Sequence, residues 1–293
     1  MERLTLHAPA KLNLTLDILG GLPGGYHALD SVMLAVDLCD TLTLARTGDG
    51  VCFSCSDPAL PRDGDNLVLK AADAFFDHTG ILPGGLTLSL VKRIPAQAGM
   101  GGGSADAAAA LIGLNHLYSA GLDQKSLAEI GLGVGSDLPF CLMGGAARAK
   151  GRGERLTPLP PPPESAVFLI AKPLEGMSTR LAFEAYDRQA CKPAPRTEEM
   201  VAALSSGRLE AVGPAVSNGF EKALPLPAVA EIKAIMRECQ CLGAAMTGSG
   251  TAVFGLFPDE ESALPCLARL QSRFPFACLA RAVPGGPKIY MGD

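Results

Sequence analysis

The stretch Pro95-Ala96-Gln97-Ala98-Gly99-Met100-Gly101-Gly102-Gly103-Ser104-Ala105-Asp106-Ala107 constrains this chain more than any other. Its glycines turn directly into the small-residue run Ala105–Leu117, which reads as a helix with Ser104 as N-cap and Asp106 in the first turn. A glycine-rich loop that feeds a helix N-terminus is a ready anion site. Free backbone N–H groups point outward, the helix dipole is positive there, and missing side chains let a phosphate approach. A connecting loop or a tight packing turn is the bland alternative. Three consecutive glycines lose much backbone entropy on folding, which counts against a purely connecting role.

The details discriminate among phosphate loops. No lysine follows the glycines, so the P-loop pattern is absent. The dinucleotide fingerprint fits badly, because its third glycine falls on Ser104. Neither H-R-D nor D-F-G occurs, which removes the protein kinases.

At 293 residues the chain is long enough for two packed lobes. A formal charge of −5 provides no basic footprint for nucleic acid or an acidic membrane. Nine cysteines, odd in number and without a signal-peptide pattern across Met1–Leu19, fit a reducing, cytoplasmic setting. Cys52/Cys55 and Cys239/Cys241 lack zinc-site spacing and read as structural thiols.

Leu4–Ala8 and Lys11–Leu19 alternate as strands, His27–Leu44 is extended, and Asn66–His78 has helical spacing behind an N-cap asparagine. Leu86–Lys92 is a strand that leads into the glycine loop, and Gln124–Ile130 is a short helix. The prolines Pro160–Pro163 mark a connector, dividing the chain into 1–160 and 161–293. Beyond them, Ala166–Ala171, Leu242–Met246, Ala252–Phe257 and Phe276–Val283 are strand candidates, and Thr179–Asp187, Thr197–Ser205 and Pro227–Cys239 helical ones. The fold class is α+β.

Two charged residues stand out. Lys11 and Asn13 project from one face of a strand whose other face carries Leu12 and Leu14, which suits a site as well as it suits solvent. Asp137, in Ser136-Asp137-Leu138-Pro139, is either a helix cap or a carboxylate that takes a hydroxyl proton in phosphoryl transfer. A second glycine-rich turn, Gly248-Ser249-Gly250, lies between two strands, as a hairpin or as a partner closing over a polyphosphate. His7, His78 and His116 lack metal-site spacing. His27 follows Tyr26 directly after a glycine turn.

Taken in order, Ala8-Pro9-Ala10-Lys11-Leu12-Asn13-Leu14, Gly25-Tyr26-His27, the Pro95–Ala107 loop, Gly135-Ser136-Asp137-Leu138-Pro139 and Gly248-Ser249-Gly250 resemble the GHMP kinases over nearly the whole chain. The likeness is to the branch acting on 4-diphosphocytidyl-2-C-methyl-D-erythritol in the non-mevalonate isoprenoid pathway. It implies a two-lobed fold, with an N-terminal lobe similar to the second domain of ribosomal protein S5 and a ferredoxin-like C-terminal lobe. It also implies an ATP- and Mg²⁺-dependent transfer to the 2-hydroxyl of that small molecule, with no nucleic-acid or membrane partner. Lys11 and Asp137 fall on the catalytic pair. The ATP site falls on Asn66 and on Pro95, Ala96, Gln97, Ala98, Gly99, Met100, Gly101, Gly102, Gly103, Ser104 and Ala105. The substrate site falls on Asn13, Tyr26, His27, Thr179, Phe183, Gly248, Ser249 and Gly250, with Tyr26 and His27 facing Phe183 across the cytosine. Ser104 and Asp106 are the metal-ligand candidates. Gln97 and Ala98 depart from glycines common in the family, Ala105 from a serine, and Ser249 from a threonine. Rival readings are a GHMP kinase for homoserine, mevalonate or a sugar, which needs no cytosine site, and a nucleotide-binding regulatory module, which needs neither Lys11 nor Asp137.

Overall fold

In the computed structural model, which describes residues 3–48 and 50–290, the opening alternation forms one long strand, β1 (Arg3–Gly21), instead of two. Pro9 does not interrupt it, because a register shift between Pro9 and Ala10 relieves the ladder of the missing N–H. Met1 and Glu2 of the Met1–Leu19 segment lie outside the described residues. A turn through Pro23–Gly25 returns the chain as β2 (His27–Arg46), antiparallel to β1. Strand β3 (Val51–Cys55) runs parallel to β4 (Leu86–Val91), and the crossover between them carries helix α1 (Leu67–Thr79). Cys52 is exposed and Cys55 buried, so the two do not share a face.

Next come α2 (Gly102–Leu117), α3 (Gln124–Val134) and α4 (Leu138–Met143), followed by β5 (Ala146–Gly151), paired with β2, and β6 (Arg155–Leu159), paired with β5. Helix α2 packs on β1, β2, α1, α3 and α4 at once. That explains its composition: Ala105, Ala107, Ala108, Ala109 and Ala110 are all fully buried, and small side chains admit neighbours on every side.

After Pro160–Pro163 the order is β7 (Val167–Lys172), α5 (Thr179–Asp187), α6 (Thr197–Ser205), α7 (Leu209–Ala215), β8 (Ser217–Asn218) and α8 (Pro227–Glu238). Then follow β9 (Gly243–Met246), β10 (Val253–Phe257), α9 (Glu260–Gln271), β11 (Phe276–Ala280) and β12 (Lys288–Tyr290). The expected strand to Val283 stops at Ala280, and Ala282 instead bridges Val36 of β2.

The fold is mixed α and β with two sheets. The larger has the order β12-β1-β2-β4-β3, with β5 joined to β2 and β8 to β1. The smaller has the order β11-β7-β10-β9, antiparallel throughout, which is the ferredoxin-like arrangement. Both its faces are covered: Phe168 and Ile170 of β7 join one core cluster, while Val167, Leu169 and Ala171 join the other. The first cluster runs continuously from Leu4 to Ala280.

The same double coverage applies to β1. Leu6, Ala8, Ala10, Leu12 and Leu14 are fully buried on the core side. Lys11, Asn13, Thr15 and Asp17 on the other side are buried as well, beneath the C-terminal half. Thr15 Oγ1 meets Thr197 Oγ1 at 3.0 Å, Asp17 accepts the Thr197 N–H at 2.7 Å, and the Asn13 N–H reaches Thr247 Oγ1 at 2.9 Å. The polar face of β1 therefore looks into the molecule, not into solvent.

Gly113 tests the packing of α2. A Cβ there would lie 2.6 Å from Leu44 Cδ1 and 3.1 Å from Leu6 Cδ1. Gly113→Val should lower the unfolding free energy by about 1–3 kcal/mol, as overpacking does, read from the urea midpoint.

Candidate active site

The glycine loop leaves β4 and reaches α2 through two left-handed glycines, Gly99 (φ 72) and Gly101 (φ 67). The helix begins earlier than expected. Gly101 is its N-cap, Ala105 N donates to Gly101 O at 2.8 Å, and the N–H groups of Gly102, Gly103 and Ser104 precede that bond. Those three amides have no intrahelical acceptor and can serve an anion. Ser104 is therefore the third helical residue and not the cap, and Asp106 falls in the second turn, because the left-handed Gly101 turns the chain directly into the helix. Gln97 adopts φ 50 without being glycine, and a Cβ on Gly176 would meet its Oε1 at 2.1 Å.

The second glycine turn joins β9 to β10 as a hairpin and also packs on the first loop. Thr251 N donates to Gln97 O at 3.3 Å, Ala252 N to Ala98 O at 3.2 Å, and Thr247 Oγ1 to Gly99 O at 3.4 Å. The contact is backbone on backbone except for the Thr247 hydroxyl. A Cβ on Gly99 would lie 2.1 Å from Thr247 O, and one on Gly248 would lie 2.5 Å from Gly99 O.

Between the loops opens a cleft of about 1110 Å³. Asn66, Gly248, Ser249 and the loop residues Pro95 to Gly103 line it; Ser104, Ala105 and Gly250 do not. Ala105 is buried in the core with its N–H bonded to Gly101, and a Cβ on Gly250 would strike Met246 Sδ at 2.5 Å. At one end Asn66 caps α1 by accepting the Val68 N–H at 3.0 Å and donates to Pro61 O at 2.8 Å, so its side chain shapes the wall formed with Leu60, Pro61 and Leu67.

Lys11 and Asp137 meet beside the loop. Lys11 Nζ lies 3.5 Å from Asp137 Oδ2 and donates to Asn13 Oδ1 at 2.5 Å, while Asn13 Nδ2 donates to Ser31 Oγ at 2.8 Å. The Lys11 N–H is bonded to Met100 O at 3.0 Å, which fixes β1 to the loop. Asp137 occupies the N-cap position of α4, yet its side chain makes no capping bond. Its carboxylate is 31% exposed, whereas the Lys11 side chain is 6% exposed. A buried ammonium thus holds a carboxylate that remains open to the cleft. The pair can orient a hydroxyl, accept its proton and offset charge on a phosphoryl group.

At the far end, His27 and Phe183 stack with centroids 4.4 Å apart and planes at 15°, and His27 Nε2 lies 2.8 Å from Asp187 Oδ1. The two rings therefore touch each other, and no base fits between them as they stand. Tyr26 is half exposed, with the Arg152 guanidinium 4.7 Å from its ring centroid. Thr179 Oγ1 and Ser249 Oγ are 3.1 Å apart across the cleft wall.

Sequence reasoning passed over Arg152, Asp187 and Lys92. Asp187 follows Phe183 by one helical turn, a legible spacing. Arg152 sits in Gly151-Arg152-Gly153 and Lys92 directly before the loop, and neither position announces a partner from far along the chain. Lys92 Nζ donates to Asp106 Oδ2 at 2.6 Å and to Asp40 Oδ2. Burial pushes the Asp106 carboxyl up to about 8, against the pull of Lys92 and helped by Asp40. Burial works against the Lys92 ammonium, but the two carboxylates outweigh it and hold its pKa above the ordinary lysine value. Among the described residues no cluster of three or more His, Cys, Asp or Glu is placed to hold a metal, and no helix is long and apolar enough to cross a membrane.

Residues 66–145 match the family described as GHMP kinases N terminal domain, and residues 200–275 match GHMP kinases C terminal. The 4-diphosphocytidyl-2-C-methyl-D-erythritol kinase of Gloeobacter violaceus is 41% identical, covering 90% of this chain and 88% of that protein. The kinase of the same name from Caldicellulosiruptor saccharolyticus is 38% identical, covering 92% and 93%. A crystal structure of a 4-(cytidine 5'-diphospho)-2C-methyl-D-erythritol kinase superposes with a TM-score of 0.80 at 32% identity, covering 96% of this chain and 99% of its own. The homoserine kinase of Cytophaga hutchinsonii superposes with a TM-score of 0.81 at 20% identity, over 99% and 98%, a likeness of fold.

The contact between the two glycine turns is open to test. Gly99→Ala and Gly248→Ala each force the turns apart and strain a positive φ, so each should weaken ATP binding by about tenfold or more in a folded protein. The double variant should lose little beyond either single one, since both open the same contact; nucleotide titration measures this.

Proposed function

The chain belongs to the 4-diphosphocytidyl-2-C-methyl-D-erythritol kinases, a family of GHMP kinases, and from that membership we propose how its residues divide the work. The reaction is transfer of the γ-phosphoryl group of ATP to the 2-hydroxyl of 4-diphosphocytidyl-2-C-methyl-D-erythritol, giving the 2-phosphate and ADP. Residues 1–160 carry the nucleotide loop, and 161–293 complete the acceptor end. The observation that carries this reading is the Lys11–Asp137 pair, 3.5 Å apart and set against the start of α2.

Asp137 orients the acceptor hydroxyl and takes its proton as the oxygen–phosphorus bond forms and the bond to the β-phosphate oxygen breaks. Lys11, aimed by Asn13, holds Asp137 in place and offsets charge on the transferring group. The amides of Gly102, Gly103 and Ser104 bind the phosphates. The donors here fit an ion carried chiefly by phosphate oxygens and water, as Mg²⁺ usually is: Asp106 lines the cleft but its Oδ2 is tied to Lys92, and Ser104 stands outside the cleft lining. When bound, Mg²⁺ screens the phosphate charge.

The cytosine stacks on the open face of Tyr26, opposite the stacked His27–Phe183 pair, and His27 supplies the edge contact. With His27 Nε2 donating to Asp187, Nδ1 is left as an acceptor that suits the exocyclic amine of cytosine and disfavours uracil. Thr179 and Ser249 border the path between the base and Asp137. We place the enzyme in the cytoplasm, in keeping with nine unpaired cysteines.

Turnover with the cytidyl substrate beside mevalonate and homoserine tests the assignment, with activity expected on the first alone. Asp137→Asn should lower kcat by a factor of about 10²–10⁴ with little change in stability. Lys11→Met should be similarly inactive while still binding ATP; near-wild-type turnover in either would remove the pair from the chemistry. Tyr26→Ala or Phe183→Ala should raise KM for the cytidyl substrate by roughly tenfold or more and leave KM for ATP nearly unchanged, as loss of a stacking wall predicts. A parallel rise of both constants would place these rings in the core or at the adenine instead.

A further inference from the structure

A second lysine lies beneath the nucleotide loop, and the reaction described above does not use it. Lys92, Asp40 and Asp106 have side chains 7%, 0% and 3% exposed, and they come from the end of β4, from β2 and from α2. Lys92 Nζ donates to both carboxylates. The other oxygen of Asp40 accepts the backbone N–H of Ile94 at 2.9 Å and that of Arg93. Asp40 therefore holds the chain where it enters the loop, Asp106 belongs to the helix by which it leaves, and Lys92 ties the two together. The cluster sits directly under the phosphate-facing turn: a Cβ on Gly102 would lie 3.3 Å from Lys92 Nζ and 3.1 Å from Ile94 Cγ2. Asp106 Oδ1 is buried and has no hydrogen-bond partner among the described residues, while Oδ2 accepts from Lys92 Nζ.

We propose that Asp40, Lys92 and Asp106 form a brace that fixes the spacing between the two ends of the nucleotide loop, making Asp106 a positioning residue for ATP. A flexible loop with glycines at its bends does not hold three amides in register unaided, and a brace beneath it removes that freedom before the nucleotide arrives. The inference rests on the kinase reading, because it needs ATP to be the loop's ligand.

The test compares Asp106→Ala with Asp106→Asn, whose amide oxygen still accepts from Lys92. Binding of the non-hydrolysable analogue AMP-PNP is followed by calorimetry, beside both KM values and the thermal midpoint. Asp106→Ala should weaken AMP-PNP binding and raise KM for ATP about tenfold, with KM for the cytidyl substrate changed by less than about twofold. Asp106→Asn should return the ATP constants to within about threefold of wild type. Should Asp106→Ala fail to fold, Asp106→Ser takes its place in the same comparison. The brace is overturned by a folded Ala or Ser variant that binds AMP-PNP like wild type, by an equal rise in both KM values, or by an Asn variant no better than the Ala one. A wild-type protein that does not bind AMP-PNP overturns the kinase reading together with the brace, whereas a wild-type-like Ala variant overturns the brace alone.

Discussion

Burial of the polar face of β1 is the constraint on which the rest of the molecule depends. Lys11, Asn13, Thr15 and Asp17 cannot be taken out of water without partners, since an unpaired buried polar group costs about 1–3 kcal/mol and a buried charge more. The C-terminal half supplies those partners at fixed places: the Arg196 and Thr197 amides for Asp17, the Thr197 hydroxyl for Thr15, and the Thr247 hydroxyl for the Asn13 amide. The docking of the two halves is thus specified by hydrogen-bond geometry as well as by apolar contact. Lys11 differs from its neighbours because its charged partner, Asp137, stays open to the cleft. The strand that closes the molecule thereby also seats a buried ammonium beside a carboxylate that faces the cleft.

Much of this was legible in the residues. The alternation of leucines with Lys11 and Asn13 marked a two-faced strand, and the glycine loop before the alanine run marked a turn into a closely packed helix. Whether the polar face met water or protein was not legible, because the covering groups lie 179 or more residues away at Arg196, Thr197 and Thr247. The same limit hid the Lys92–Asp40–Asp106 cluster, whose members look like unrelated surface charges until β2, β4 and α2 converge. Ser104 was misread for a local reason. Serine is the favoured capping residue, and the rule that names it does not anticipate a glycine in the left-handed region starting the helix sooner. At the aromatic end, Tyr26, His27 and Phe183 line one cleft, but His27 lies directly on Phe183 where a base was expected between them. The stacking of His27 on Phe183 depends on side-chain rotamers that no spacing rule reaches.

The two ends of the cleft are built on different physical principles. The end proposed for the nucleotide is made of backbone: amides of Gly102, Gly103 and Ser104, and two turns that touch through Gly99 and Gly248. Backbone dipoles present little that distinguishes one phosphate chain from another, and they suit a ligand common to many kinases. The end proposed for the acceptor is made of side chains from both halves, with His27 on β2 linked to Asp187 on α5. Rings and edge partners can be exchanged without disturbing a glycine turn, so selectivity for the acceptor can change while nucleotide binding is kept.

The path of β1 has a consequence for recombination between relatives. The proline run at Pro160–Pro163 invites a crossover that joins the first half of one protein to the second half of another. Yet β8 and β12 belong to the second half and add to the first half's sheet, Thr15 pairing with Ser217 and Leu6 with Ile289. A hybrid would have to match strand registers and the polar row of β1 between parents with separate histories. Crossovers that respect the architecture instead exchange compact pieces, such as the β5–β6 hairpin or α8 through β10, and leave β1 with the strands it grew up beside.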